Sequence, residues 1–348
     1  MKEQIKPILA ITMGDPAGIG PEIIVKALDL KETYEKCRPL VTGDAGIMEW
    51  AVKQMGTAQK INQISSVREA KFELGTIDVI DLKCVDMDTF EPGKVAPQCG
   101  NAAFVSIIKA IELAMAGEVD GTVTAPLNKE ALHKGGHNFD GHTEIYAHYT
   151  GTKKYAMLLA DEFLRVIHVS THVSLREACD RVKKERIIEV TELISNACRQ
   201  FGMESPRIGI AGLNPHASDN GLFGWEEEKE IIPAVEELRQ RGFNVDGPVP
   251  PDTLFAKAKC GKYDGCVAMY HDQGHIPFKV VGFNWNKETG KMDSAKGVNI
   301  TLGLPIIRVS VDHGTAFDVA GKGVASPDAM LLSIDYATRM AISRIEKN

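Results

Sequence analysis

The sequence lacks several features that would each have fixed its class. No stretch approaches the roughly 18 consecutive apolar residues of a membrane-spanning helix. The apolar run near the start, within MKEQIKPILAITMGDP, is short and is quickly followed by Asp15 and Pro16, which excludes a secretory signal peptide. There is no CxxC pair. The seven cysteines stand singly at 37, 84, 99, 179, 198, 260 and 266, an odd and scattered set that argues against a disulfide framework and against a cysteine zinc site. The expectation is reduced thiols in a cytoplasmic protein. Basic residues are not in excess: 40 Lys and Arg face 47 Asp and Glu, a net charge of -7, so composition gives no footprint for nucleic acid. Neither a Walker A loop nor a G-x-G-x-x-G turn is present, which removes the two commonest nucleotide signatures. What remains is a chain of 348 residues with 44% hydrophobic content, enough for two cored lobes and no membrane partner.

Strand-length apolar runs alternate with helical patterns. Ile8–Met13 reads as a buried strand, followed by a glycine-rich turn and a helix opened by Pro21. Pro39–Thr42, Asp78–Leu82 and Gly121–Thr124 read as further strands, and Asn101–Ala116 as a helix stopped by Gly117. Phe163–Ser170, Arg207–Gly212 and Cys266–Tyr270 are strand-like, and each runs into a polar turn carrying a histidine. Ser174 and Glu177 form a capping-box pattern, and Glu227–Arg241 is a charged amphipathic helix. Pro305–Val311 reads as a strand, and Ser326-Pro327 caps a last helix to about Ile345. The alternation predicts an α/β fold with mostly parallel strands. The polar stretch 284–296 is expected to be an exposed loop or hairpin insertion.

Five segments carry chemistry-bearing residues. His172, His216 and His271 each follow the carboxyl end of an expected strand, where ligands of open α/β sheets gather. Three neutral imidazoles there would suit a divalent metal with open positions, whereas each histidine taken alone suits a structural role better. Asp272 would orient His271 or join the ligands. His168 reads as a strand residue, and His133, His137 and His148 as surface or loop residues. Residues 14–22, GDPAGIGPE, would let a ligand approach the backbone at a helix N-terminus, or simply form a tight turn. Gly141-His142-Thr143-Glu144 offers substrate contacts or a capping turn. Lys279 and Arg308 lie within apolar stretches, with Asn299 near in sequence. Buried cations need an anion, either a bound phosphate or carboxylate or a structural ion pair. Finally, the glycine-bearing loop 312–323, DHGTAFDVAGKG, follows a strand and has room to wrap a nucleotide.

Together these segments resemble the 4-hydroxythreonine-4-phosphate dehydrogenase family of vitamin B6 biosynthesis. The similarity runs from GDPAGIGPE to DHGTAFDVAGKG through TAPLNK (124–129), GHTE (141–144), GLNPH (212–216), PPDTLF (250–255), MYHDQG (269–274) and GVNITLGLP (297–305). The first and last of these also look like the turn and nucleotide loop of isocitrate and isopropylmalate dehydrogenases. The resemblance implies that fold: two α/β/α lobes with a cleft between them, in a homodimer whose sites are shared across the interface. The domains expected are 1–130 with 303–348, and a central lobe 131–302. The metal ligands would be His172, His216 and His271, for zinc, magnesium, manganese or cobalt. His142, Thr143, Lys279, Asn299 and Arg308 would hold the substrate. His313, Gly314, Thr315, Asp318 and Gly321 would line the NAD site, and Asp272 and Lys279 would serve catalysis.

Two departures bear on the substrate. The family's usual leucine-proline after HDQG is His275-Ile276-Pro277 here, and 284–296 interrupts the usual passage into GVNITLG. Both look like a sister branch acting on 4-phospho-D-threonate or 4-phospho-D-erythronate. The expected reaction is oxidation at C3, then loss of CO2 to leave dihydroxyacetone phosphate. The amino-acid phosphate of B6 biosynthesis is the alternative. A metal-dependent lyase or aldolase, which would not need the nucleotide loop, and a non-catalytic phosphometabolite binder are the more distant ones.

Overall fold

The computed structural model describes residues 5–282, 285–286, 291–292 and 297–347. Among these, the strands in chain order are β1 (Ile8–Thr12), β2 (Arg38–Gly43), β3 (Lys60–Ile64), β4 (Thr76–Asp81), β5 (Gly121–Thr124), β6 (Ala156–Ala160), β7 (Arg165–His168), β8 (Ile208–Ala211), β9 (Val245–Val249), β10 (Gly265–Ala268), β11 (Trp285–Asn286), β12 (Lys291–Met292), β13 (Val298–Leu302) and β14 (Arg308–Val311). Contacts divide the chain into two units: Met1–Tyr155 with Ser294–Asn348, and Ala156–Asp293.

In the first unit the strands lie in the order β3-β4-β2-β1-β5-β14-β13. All neighbours are parallel except β13 and β14, which are antiparallel. β5 and β14 are buried along their whole length, including the charged Arg308 that opens β14. One apolar cluster joins Ala10, Leu40, Ile64 and Ile80 to Ala110 and Leu113 of the helix Pro97–Met115. Another packs Phe104, Ile107 and Ile111 of that helix against Leu132, Ile145 and Tyr146. Residues 131–155 and 297–302, expected in the central lobe, therefore cluster with the chain ends. Tyr146 lies in the core beneath β5, and β13 pairs with β14.

The second unit orders its strands β6-β7-β10-β8-β9, with β6 antiparallel to β7 and the rest parallel. Its core joins Leu159, Leu164, Val166 and Cys266 to Leu254 and Phe255 of the helix Pro251–Lys259. The segment expected as an insertion contains an antiparallel pair, Trp285 opposite Met292 and Asn286 opposite Lys291. Positions 283–284, 287–290 and 293–296 lie outside the described residues.

Helix ends follow local chemistry. Pro21 sits in the first turn of the helix Gly20–Ala27. Asp44 accepts a hydrogen bond from Ile47 N at 3.2 Å to start the helix Ala45–Met55. Ser174 Oγ accepts from Glu177 N at 3.2 Å, but the Glu177 carboxylate turns to Arg181 at 2.6 Å, so the reciprocal half of the capping box does not form. The residues from Lys279 to Gly282, expected in an apolar run, belong to the helix His271–Gly282. All seven cysteines are free, and burial pushes the thiols of Cys37, Cys99 and Cys198 up to about 12. Among the described residues no helix is long and apolar enough to cross a membrane.

Among the described glycines, Gly100 has the tightest backbone surroundings. A Cβ built there would stand 1.9 Å from the Ala131 carbonyl oxygen of the helix Lys129–Lys134. Gly100→Ala must push these helices apart and is expected to destabilise the protein by ~1–3 kcal/mol. Denaturant unfolding that leaves the midpoint unchanged would show that the two helices are not tightly docked.

Candidate functional site

In the first unit, β1, β5 and β14 run side by side in the same direction. Their carboxyl ends release three turns onto one edge: residues 13–19, 125–128 and 312–323. Asp15 N donates to Pro126 O at 2.8 Å, and Ile19 N donates to Thr315 O at 3.0 Å, so the three turns are tied together.

Arg308 opens β14, and its guanidinium reaches Thr124 at the carboxyl end of β5. It is 2% exposed, and no carboxylate lies within ion-pair distance of it among the described residues. Its Nη1 donates to Thr301 Oγ1 and its Nη2 to Thr124 Oγ1, each at 3.0 Å, and the guanidinium lies 5.7 Å from the centroid of the Tyr146 ring. Burial lowers its pKa to about 10. Its Nε has no hydrogen-bond partner. Beside it, partly buried His142 touches the Ala125 backbone, while its Nε2 is covered and unpartnered. Burial first, and Arg308 second, hold this imidazole well below its ordinary pKa and hence neutral. Asn299 Oδ1, from β13, is a further buried atom without a partner. Thr143 is partly buried in the first turn of the helix His142–Tyr149, which no side chain caps. Of the expected substrate group, His142, Thr143, Asn299 and Arg308 thus belong to one unit. Lys279 lies in the other, half-buried on the last turn of its helix rather than deep in a core.

The loop 312–323 packs on the same unit. His313 Nδ1 pairs with Gly314 O at 3.0 Å, Lys322 Nζ donates to Asp318 O at 2.6 Å, and Thr315 is buried. A Cβ built on Gly321 would stand 3.6 Å from Pro92 and 3.7 Å from Trp50. The amides of Gly321 and Gly323 both donate to the carboxylate of Glu22, a fully buried acid that spacing did not single out.

In the second unit the three histidines leave adjacent strands, β7, β10 and β8, as expected. Two of them meet. The rings of His172 and His271 are 5.9 Å apart, and both line an open hollow of about 450 Å³ with Thr171, Tyr270 and Asp272. Asp272 Oδ1 accepts from His271 Nδ1 at 2.7 Å, which turns the lone pair of Nε2 outward for a ligand. His216 does not join them. It opens a run of five residues, His216 to Asn220, with φ between +46° and +73°, and its exposed ring turns to Asp219 at 3.5 Å. Among the described residues, no three His, Cys, Asp or Glu side chains stand close enough to hold a metal, so the expected three-histidine cluster is not assembled within one chain. Spacing also missed His168 and His275 as parts of this group. His275 stacks on His271 at 3.6 Å, and His168 is buried 4.6 Å from His275. Burial lowers the pKa of His168 to about 3 and of His275 to about 4.

Asp15 was part of an expected turn but stands out chemically. It is fully buried; Oδ1 accepts from Ala17 N at 2.9 Å, and Oδ2 has no partner. Burial pushes its pKa up to about 6. The folded chain therefore binds this proton where the unfolded chain has released it, and stability falls as pH rises through about 4 to 6. Asp15→Asn should match wild type near pH ~4 and exceed it by roughly 2 kcal/mol at pH ~8. Equal differences at the two pH values, measured by denaturant unfolding, would show that Asp15 is ionised in the folded protein.

The family model described as pyridoxal phosphate biosynthetic protein PdxA matches residues 35–337. A Cupriavidus necator protein named D-threonate 4-phosphate dehydrogenase is 48% identical over 339 residues, covering 97% of this chain and 98% of its own. The crystal structure of a 4-hydroxythreonine-4-phosphate dehydrogenase from Klebsiella pneumoniae superposes with a TM-score of 0.83 at 45% identity, over 97% of this chain and 100% of that one. The corresponding enzyme from Burkholderia phymatum gives 0.82 at 46% identity, over 97% and 98%. With a family match over most of its length and a 48% identical relative covering nearly all of it, the chain belongs to the PdxA family.

Proposed function

We propose that this chain is a cytoplasmic NAD-dependent dehydrogenase that oxidises 4-phospho-D-threonate at C3 and releases CO2 and dihydroxyacetone phosphate. The observation that carries the reading is Arg308: a buried guanidinium held by two threonine hydroxyls, with an unpartnered Nε and, among the described residues, no carboxylate within ion-pair distance. That geometry calls for a small anion, and a phosphate monoester supplies one. The choice of a sugar acid rests on the 48% identity to the Cupriavidus necator protein of that name.

The residues then divide the work. Arg308 would take the phosphate through its unpaired Nε. The neutral His142 offers a ring nitrogen without adding charge, and Thr143 a hydroxyl. Asn299 Oδ1 would accept from a substrate hydroxyl. Lys279 would neutralise the carboxylate. When the C3 hydroxyl gives up its proton and the C3 hydrogen leaves as hydride, the product is a β-keto acid. Its C1–C2 bond then breaks, and the electron pair moves toward the C3 carbonyl. Protonation of the resulting enediolate at C2 completes dihydroxyacetone phosphate. NAD, along His313, Gly314, Thr315, Asp318 and Gly321, would supply the hydride acceptor.

The donor chemistry of His172 and His271, two imidazoles sharing one hollow with His271 set by Asp272, fits a divalent ion. His172, His271 and a third imidazole, His216, would hold it, and when bound it would acidify the hydroxyl being oxidised. Because His216 stands apart within one chain, we include in the proposal a homodimer that shares its sites. The exposed apolar residues Leu175, Leu222, Phe223, Trp225, Ile276 and Val280, all in the unit that carries the histidines, support such an interface.

A second reading, the amino-acid phosphate, is favoured by the names of the two solved relatives at 45% and 46% identity. Following reduced nicotinamide with each substrate in turn separates the two. Turnover with 4-phospho-D-threonate is expected. Turnover with 4-phosphohydroxy-L-threonine and with neither sugar-acid phosphate would overturn the assignment. Arg308→Met should lower kcat/KM by roughly hundredfold, the size of losing one partner of a buried charged pair. A variant with unchanged kcat/KM would remove Arg308 from the phosphate site.

A further inference from the structure

Helix Gly20–Ala27 grips the loop that follows β14 at both ends. At its start, Ile19 N donates to Thr315 O at 3.0 Å. One turn on, the fully buried Glu22 carboxylate accepts from Gly321 N and, at 3.1 Å, from Gly323 N. One turn further, Lys26 Nζ donates to Gly323 O at 2.7 Å and to Ala325 O at 2.6 Å. Gly321 and Gly323 adopt φ of +79° and +65°, which turns both amides toward the same carboxylate. Amides converging in this way form a concavity suited to an anion. Here the protein's own carboxylate fills it, so these amides are not available to a nucleotide phosphate. The acid satisfies the loop's donors and the lysine its acceptors, and neither side chain is spent on the substrate group around Arg308.

We propose that Glu22 and Lys26 are positioning residues that preset the cofactor loop, so that its ordering does not have to be supplied by NAD on binding. This rests on the reading that residues 313–321 line the NAD site. A loop already held in its bound shape binds more tightly because less conformational freedom is lost.

The test uses the full-length enzyme as wild type, Glu22→Gln and Lys26→Met. Three readouts are taken: kcat, the separate KM values for NAD and for 4-phospho-D-threonate, and hydrogen exchange of peptides spanning 315–325 with and without NAD. In Glu22→Gln, KM for NAD should rise about tenfold while KM for the sugar acid stays within about twofold, the size of one lost charge-assisted hydrogen bond. Peptides from 321–325 should exchange faster without cofactor and regain protection with it. Lys26→Met should show the same pattern more weakly, and it carries the test if Glu22→Gln does not fold. Two soluble variants with unchanged KM for NAD overturn the proposal. So does a parallel rise of both KM values with a fall in thermal stability, which is the pattern of a merely structural role. If NAD leaves exchange of 315–325 unchanged in the wild type, the cofactor assignment itself fails. Faster exchange in the variants would still report the grip on the loop.

Discussion

Parallel pairing is the constraint from which the remaining features follow. Strands that all run one way cannot be joined by tight hairpins; each connection must cross over the sheet, and helices do so on both faces. The strands are then buried on both sides, and their carboxyl ends share one edge. In the first unit this places the turn after β1, the turn after β5 and the long loop after β14 next to one another. In the second, the same rule sets His172, His216 and His271 at the ends of three adjacent strands. Neither grouping needs residues that are close in sequence.

The same constraint decides what was legible. β1, β2, β4, β5, β8, β10 and β14 lie within runs of buried apolar or small residues that mark them as strands. β3 is Lys-Ile-Asn-Gln-Ile at the sheet edge with polar residues outward, and β9 contains Gly247 and Pro248, so neither has that signature. The β6 segment, Ala-Met-Leu-Leu-Ala, consists of residues that favour helices as much as strands, and only pairing with β7 decides it. The helix Glu227–Arg241 was expected as one piece; it opens with a π turn over Glu227–Ile231 before Ile232–Gln240.

The candidate site was legible in composition and only partly in geometry. A charge inside an apolar stretch is a signal that needs no structure, and Arg308 gave it. Its partners are the hydroxyls of Thr124, 184 residues away, and Thr301, 7 residues away, and no spacing rule predicts that pair. Glu22 looked like an ordinary acid in a first helical turn until its carboxylate was found buried against Gly321 and Gly323. His216 shows the opposite case: its place after a strand was read correctly, but the left-handed run that it opens is a backbone conformation that residue spacing does not encode. Glu227 fixes the preceding segment by accepting from Leu213 N at 2.7 Å and Asn214 N at 2.8 Å.

The scattered thiols have a practical side. Burial that keeps Cys37, Cys99 and Cys198 protonated also keeps them from reacting, because the thiolate is the nucleophile. Cys260, at the end of the helix Pro251–Lys259, is the one exposed cysteine of the seven. A maleimide dye added to the native enzyme would therefore find its most accessible thiol on the histidine-bearing unit, with the half-buried Cys84 and Cys179 the next in reach.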